Sequence, residues 1–532
     1  MKKNVIATCL ILAALLGSAG ELCGWLLPTI SWPFTASREL SFLSCEGELC
    51  PALAVEGRVH WFGWLGMLAL ALPGLFLLLV SRGSLKLPPE ARRRIQRFRG
   101  LKRGWWSLLG LGGLLVLAAM DQTLVGKRAL LVISAEGQWH LPAFRRNMLP
   151  GATFGLAGNA AHAETDYRAL KEQQGKPGGP RLVVLPPIPW DATTDAAPFP
   201  TEQLPQKEGK VYTPDGTRLF DGQACRLYPS GDVHLRIRYR KGVPDGHTQG
   251  WDTDRREVYG ATWREGRRLR EHLDTVEGSI PEFLAGSEHT LYLIHYHPSP
   301  PLKGGHLLGT DSQGADIAAL LFGGLQVNVK AALFYLPIIY GIGLTLGMLM
   351  GYWGGKFDLL TQRCIEIISQ LPFLFIVMIL TDFVPLDLRG MFTTLLLLAL
   401  FGWMPMTYLI RTATMREKAR DYVAAARSMG AGPLHILRRH ILPNLTSIII
   451  TLIPFSVAVV VLSLTSLDYL GFGLPETYPS WGRLLNDGLA KLTSPWIASS
   501  AFGALTLTLL LITFIGEAVR EAIDPKSGEH YR

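Results

Sequence analysis

The residues best suited to chemistry are four histidines close in sequence, His289, His295, His297 and His306. A His-x-His pair binds a metal when both rings face one way. No carboxylate or cysteine beside these four completes a ligand set, and Pro298, Pro300 and Pro301 hold the backbone extended. No His-Glu-x-x-His occurs, and no GxxxxGK[ST] phosphate loop, so neither metal-assisted hydrolysis nor nucleotide binding has its residues on this chain. The sequence therefore predicts no catalytic residue and no metal site. Cys45 and Cys50 stand close enough to form a disulfide in an oxidising compartment or to remain two thiols. Cys225 has no evident partner, and Cys9 and Cys364 read as packing residues in apolar runs.

A second constellation is mechanical. Residues 421–430 read Asp-Tyr-Val-Ala-Ala-Ala-Arg-Ser-Met-Gly, and 431–444 continue Ala-Gly-Pro-Leu-His-Ile-Leu-Arg-Arg-His-Ile-Leu-Pro-Asn. The alanines at 424–426 give a short helix a smooth face that a partner can approach. Gly430 can end that helix in the left-handed conformation. Pro433 then turns the chain into a second helix, and Leu442-Pro443 stands at the next apolar run.

The elements that must position these residues are membrane spans. The 532 residues are only 18% charged, against about 25% in soluble domains, and the mean hydropathy is positive. Eight stretches approach the ~20 apolar residues a spanning helix needs: 4–27, 61–80, 105–121, 328–354, 361–382, 391–410, 445–467 and 498–519. The first is either a retained span or a cleaved leader, since an apolar run follows Lys2 and Lys3 and ends in small residues. Segment 81–104 carries nine basic residues against Glu90, and 411–440 carries seven against Glu417 and Asp421. Basic short loops stay cytoplasmic. Four spans separate the two, so both loops fall inside. Residues 28–60, 122–327, 383–390 and 468–497 then lie outside. The net charge of +9 sits beside apolar blocks, which argues against nucleic acid and for lipid as the partner.

Outside, seven prolines in 180–205 read as an extended linker. Tyr228, Tyr239, Trp251 and Trp263 then each open a four-residue unit ending in Gly or Asp, beginning 11, 12 and 12 residues apart. This spacing predicts strand ends entering tight turns, and two stacked hairpins. The repeat resembles the one called MORN over 209–266, as a spacer or as a docking surface. Glu366 is expected to hold Arg363, Asp311 and Asp316 to cap or face water on an outer-leaflet helix, and Trp481 to anchor a loop at the lipid interface. Pro337, Pro372, Pro405 and Pro454 are expected to interrupt their spans.

The 421–444 segment resembles the coupling loop of ABC importer permeases of the oligopeptide/dipeptide/nickel family. That pattern runs Glu-Ala-Ala, three residues, Gly, nine residues, Ile, one residue, Leu-Pro. Here Ala424 replaces the Glu and His440 the Ile, and His-Ile-Leu-Pro-Asn is typical of the peptide branch. The resemblance continues through 306–316, Gly351–Asp358, Arg363–Pro372, Ser466–Pro475, Pro479–Gly482 and Gly516–Pro525, and 97–190 resembles the microcin C-type permease at Gly104-Trp-Trp-Ser-Leu and Gly137-Gln-Trp. It implies an all-α polytopic membrane protein of the type I ABC importer permease fold, with a small extracytoplasmic β-hairpin domain inserted. The division is 1–80 (an extra pair of spans), 81–121 (basic loop and third span), 122–205 (outer segment with linker), 206–290 (MORN-like insertion), 291–327 (amphipathic lead-in) and 328–525 (permease core). The implied ATPase-coupling residues are Asp421, Tyr422, Ala424, Ala425, Ala426, Gly430, Ala431, His440, Leu442 and Pro443. The extracytoplasmic motif is Gly309, Thr310, Asp311, Gly314 and Asp316. The implied activity is import of peptides across the inner membrane by ATP-driven alternating access. The chain would carry no cofactor of its own, ATP and Mg sitting on two partner ATPase units beside a second permease and a periplasmic solute-binding protein. An envelope scaffold and a metal-dependent membrane enzyme are the readings from other classes.

Overall fold

The computed structural model describes residues 89–119, 121–144, 149–156, 164–176, 178–191, 201–228, 233–252, 256–273, 280–285, 290–294, 297–385, 389–475 and 478–523, together with Thr8, Ile11, Leu12, Leu15 and Leu75. The apolar runs 4–27 and 61–80, Cys45, Cys50, His289 and His295 lie outside this description, apart from those five residues. The chain divides into two compact units, Ala196–Gly314 and the remainder.

In the larger unit the basic segment forms α1 (Pro89–Gly100), which breaks at Leu101 into α2 (Lys102–Ala119). At 18 residues α2 is about 27 Å long, and its first two residues are charged, so its apolar part is shorter than the span read at 105–121. A small sheet follows, with β1 (Leu131–Ile133) paired antiparallel to β2 (Trp139–His140) and to β3 (Leu182–Val184). The helix α3 (Tyr167–Glu172) is capped by Asp166, whose carboxylate accepts from Arg168 N and Ala169 N. Val132, Phe154, Tyr167, Leu170 and Val183 form its core. Burial alone would raise the Glu164 carboxyl, but Arg128 at 2.7 Å and Lys127 at 3.2 Å hold it below the ordinary carboxylate value.

The smaller unit is a seven-stranded antiparallel sheet in the order β11-β10-β9-β8-β7-β12-β4. Its strands are β4 (Thr201–Leu204), β7 (Gly222–Leu227), β8 (Val233–Arg240), β9 (Val243–Trp251), β10 (Glu257–Arg264), β11 (Arg267–Leu273) and β12 (Leu291–Ile294), and the pair β5 (Gln206–Lys207) and β6 (Lys210–Val211) stands apart. The β8–β9 and β10–β11 turns are Lys241-Gly242 and Glu265-Gly266, all four at positive φ. That is the backbone a two-residue hairpin turn requires. Leu235, Tyr259 and Ala261 pack under Ile280, Phe283 and Leu284 of α4 (Ile280–Ala285), the spacing of one helix face. The Pro-rich linker expected over 180–205 is a correction: residues 182–184 and 201–204 are strands in two different sheets. Their backbones pair where the prolines leave N–H groups free.

Further helices follow in the larger unit. They are α5 (Ile317–Trp353), α6 (Gly355–Ser369), α7 (Phe373–Phe383), α8 (Met391–Lys418), α9 (Asp421–Ser428), α10 (Leu442–Tyr469), α11 (Trp481–Ala490) and α12 (Pro495–Ile523). Among the described residues four helices are long and apolar enough to cross a membrane, and α6 with α7, bent by 80°, makes a fifth if the pair is one span. One expectation, the interruption at Pro372, holds here, and one is corrected. The span read at 361–382 is this bent pair, broken where Pro372 caps α7, because the residue before a proline leaves the helical region. The lead-in to 328–354 is no separate surface helix, since α5 begins at Ile317 and runs unbroken for 37 residues. Pro337, Pro405 and Pro454 lie inside α5, α8 and α10.

Close approach explains the packing of α5 on α8. Glycines stand every fourth residue at 343, 347 and 351. A Cβ on Gly347 would lie 2.8 Å from Thr407 O, and one on Gly351 2.6 Å from Thr414 Cβ. Such a stripe lets two backbones meet where lipid offers no hydrophobic drive. Likewise Gly104 of α2 abuts Ala518 of α12, and Gln326 Nε2 donates to Ala118 O at 2.8 Å.

Candidate functional site

Helix α9 lies between two spanning helices. Val423 and Ala426 are buried, whereas Asp421, Ala424 and Ala425 are exposed, so the alanine run is split between an inward and an outward side. Gly430 has φ of 84°. Its N–H donates to Arg427 O and the N–H of Ala431 to Ala426 O, both at 3.0 Å. This double bond pattern closes the helix with a residue that only glycine accommodates cheaply. Pro433 then opens a helix that runs without a gap into α10.

That continuity corrects the expectation of a second, separate short helix. Residues Ile436–Ile441 form a π-helical turn, and the whole stretch Pro433–Tyr469 reads as one apolar helix. The cause is Pro443, which lacks an N–H and whose ring would strike the carbonyl four residues earlier. A widened turn removes the conflict, and the N–H of Leu442 donates to Leu437 O instead. His440 and Leu442-Pro443 thus sit on the stem of α10, and movement of the loop is movement of that helix.

The base of α9 is bonded to its neighbours. Tyr422 Oη donates to Glu417 Oε2 at 2.9 Å and accepts from Asn444 Nδ2 at 3.2 Å, which also donates to His440 O at 2.7 Å. Burial and then the Glu417 carboxylate push the Tyr422 phenol up from its ordinary value. Glu417 also pairs with Arg420 at 3.1 Å. Arg427 and Lys418 both lie over the Tyr352 ring at the end of α5, at 5.7 and 5.6 Å. The loop is therefore braced on α5, α8 and α10 together.

Beneath the glycine turn is a groove of about 460 Å³ lined by Ala426, Met429, Gly430, Ala431, Gly432, His435 and His440. Met429 and Leu434 beside it are 80% and 75% exposed. Sequence reasoning missed Met429, Leu434 and His435. Two large apolar side chains flanking a glycine turn were the available signal.

The motif expected to be extracytoplasmic is divided. Gly309, Thr310, Asp311 and Gly314 belong to the smaller unit and Asp316 to the larger. Thr310 Oγ1 accepts from Ser299 N at 2.8 Å and lies 2.8 Å from His297 Nδ1, so His297 serves the loop. Gly309 and Gly314 have positive φ. Asp311 accepts from Gln313 N at 2.9 Å. Asp316 caps α5, accepting from Ala319 N at 2.8 Å, and so heads a spanning helix rather than one on a leaflet. Trp481 is a further correction. It is 3% exposed, and its Nε1 donates to Leu321 O at 2.9 Å. It fills the space opposite Gly324, where a Cβ would lie 2.4 Å from the indole. Cys364 is exposed and Cys225 buried, and neither is in a disulfide. Arg363 pairs with Glu366 at 2.6 Å.

Residues 343–528 match the family described as binding-protein-dependent transport system inner membrane component. The oligopeptide transport system permease protein OppC of Haemophilus influenzae is 33% identical over 43% of this chain and 73% of its own length. The chain belongs to this family. Two further relatives are the inner membrane ABC transporter permease protein YejE of Escherichia coli, 40% identical over 43% of this chain, and the peptidoglycan transport system permease protein YejE of Agrobacterium fabrum, 39% identical over 41%. The chain spans 66% and 57% of the length of these two relatives. Among solved structures, a chain of the MetNI methionine ABC transporter in inward facing conformations is similar with a TM-score of 0.34 and 17% identity, over 38% of this chain and 96% of that one. In this inner membrane component the α9 loop falls inside the family match and the Ala196–Gly314 unit lies wholly before it.

Proposed function

We propose that this chain is the permease subunit of an ABC importer that carries peptides or peptide-like solutes across the cytoplasmic membrane by ATP-driven alternating access. It works with a second permease, two ATPase units that bind ATP and Mg, and a periplasmic solute-binding protein. The observation that carries this reading is the α9 loop. A glycine-closed helix stands proud of the bundle and presents Ala424, Ala425, Met429 and Leu434, and its stem is continuous with α10. A force applied there cannot be absorbed locally. It turns the spanning helices as rigid bodies, as alternating access requires.

Charge supports the orientation. The basic loops 81–104 and 411–440 share the inner side if α2, α5, the bent pair and α8 all cross, with the bent pair acting as one broken span. The smaller unit, which contains the MORN-like hairpins, then faces the periplasm. Relatives named for oligopeptide and peptidoglycan transport favour peptide-like cargo.

Co-expression with the candidate ATPases tests the reading. The wild-type chain is expected to co-purify with them, and Gly430→Asp to break the complex. An Asp at φ of 84° strains the turn by about 1–2 kcal/mol and adds a charge to the docking groove. A complex that withstands Gly430→Asp, with transport intact, would refute the lever.

A further inference from the structure

The seven-stranded sheet has a closed face and an open one. The closed face holds Leu235, Tyr259 and Ala261 under Phe283. On the other, register aligns Cys225, Arg236, Gln249, Gly260 and His272 in one row across five strands. The adjoining positions pair Gln223 with Arg238, and Thr262 with His247 and Arg270. Alternation along the strands places Arg236, Arg238, Arg240, Arg264, Arg267 and Arg270 on this one face. Of these only Arg236 is half-buried; the rest are exposed. Acids on this face are Glu257, which already accepts from Gln249 Nε2 at 3.0 Å, and Asp245, which alternates with His247 and Gln249 along β9.

Two features go beyond a solvated basic surface. Arg264 and Arg267 are direct cross-strand partners. Like charges opposed in that way destabilise a hairpin, and an anion between them reverses the sign. The second is the composition between the arginines. Gln223, Gln249, Thr262, His247 and His272 offer further hydrogen-bonding groups, and Gly260 has the His272 ring laid over it, where a Cβ would come within 2.3 Å. The surface is thus a flat grid of guanidinium and amide groups, on the order of 14 Å across and 13 Å along the strands. Arg236 already covers the Trp251 ring at 5.1 Å.

We propose that this face binds an acidic glycan, a chain of sugar carboxylates and hydroxyls. The arginines grip carboxylates in the paired geometry their planar forks allow, and the amides, imidazoles and Thr262 hydroxyl take the sugar hydroxyls. This ligand is separate from any transported solute, and the proposal does not depend on the transport reading.

The test uses the full-length chain in detergent with immobilised polygalacturonate, neutral dextran, polyglutamate and single-stranded DNA as probes. Polygalacturonate is expected to bind best, with dextran not retained. The exposed pair Arg238→Gln/Arg270→Gln is expected to weaken binding about tenfold or more, and Gln249→Ala/Thr262→Ala to weaken it at unchanged net charge. Arg264→Gln/Arg267→Gln should weaken binding yet raise the melting temperature of the ligand-free protein, which a purely structural role would not produce. No retention of polygalacturonate, equal retention by the arginine variants, or equal affinity for polyglutamate or DNA would each overturn the proposal.

Discussion

Asp358 and Arg411 join α6 to α8 through two charge-assisted bonds, Nε to Oδ1 at 2.5 Å and a terminal guanidinium nitrogen to Oδ2 at 2.6 Å. The carboxylate side chain is 7% exposed and the guanidinium 20%. Breaking such a pair strands a desolvated charge, so Asp358→Asn is expected to destabilise the detergent-solubilised chain by about 3 kcal/mol, read as a fall in unfolding temperature. The double variant Asp358→Ala/Arg411→Ala should recover part of that loss. Residues of this kind divide in how far the sequence reveals them. Gly430 and Asp316 were legible because a left-handed turn and a helix cap are local requirements. Trp481 was misread, because an indole near a span end suits the lipid interface equally well until Gly324 supplies a slot for it.

At the scale of elements, the glycine stripe of α5 sets its contact with α8. Gly347→Ala is expected to cost about 1–3 kcal/mol, since its Cβ would press on a backbone oxygen at 2.8 Å. Gly347→Leu should part the helices and abolish the folded fraction seen by size-exclusion chromatography. In the sheet, His234 is the extra residue of a bulge in β8, where register moves from Leu235–Arg226 to Val233–Leu227. Its ring lies between Tyr228 and Phe283, at 4.5 and 4.6 Å, and neither nitrogen has a hydrogen-bond partner. Burial, aided by Arg226, pushes its pKa down from 6.5 to about 4. The folded form is therefore neutral, whereas the unfolded form takes up a proton near 6.5. This contribution to stability is complete above pH 6.5 and is lost as pH falls toward 4. Protease cleavage of the hairpins should accordingly be faster at pH 5 than at pH 7.5, and His234→Leu should remove that difference. The turn chemistry of these hairpins could be read from spacing, but the bulge could not, because an extra residue on one strand shows only once its partner is in place.

At the scale of the whole molecule, the proposed orientation predicts a labelling pattern. In an otherwise cysteine-free chain, Met429→Cys should react with a membrane-impermeant maleimide only after the cells are opened, and Arg240→Cys in intact cells. Reaction of Met429→Cys in intact cells would reverse the topology and remove the proposed coupling. The sequence by itself determined that this is a membrane protein, that apolar helices flank a glycine-closed loop, and that short turns punctuate the segment from 228 to 266. These follow from hydrophobicity and local backbone preference, which act over a few neighbouring residues. Only the tertiary structure decided how sharply 361–382 bends, that the loop and α10 are one helix through a π-turn, that β4 and β12 join the hairpins in one sheet, and that six arginines share its open face. Each depends on residues far apart in sequence meeting, or on which of two permitted backbone paths the surrounding packing selects.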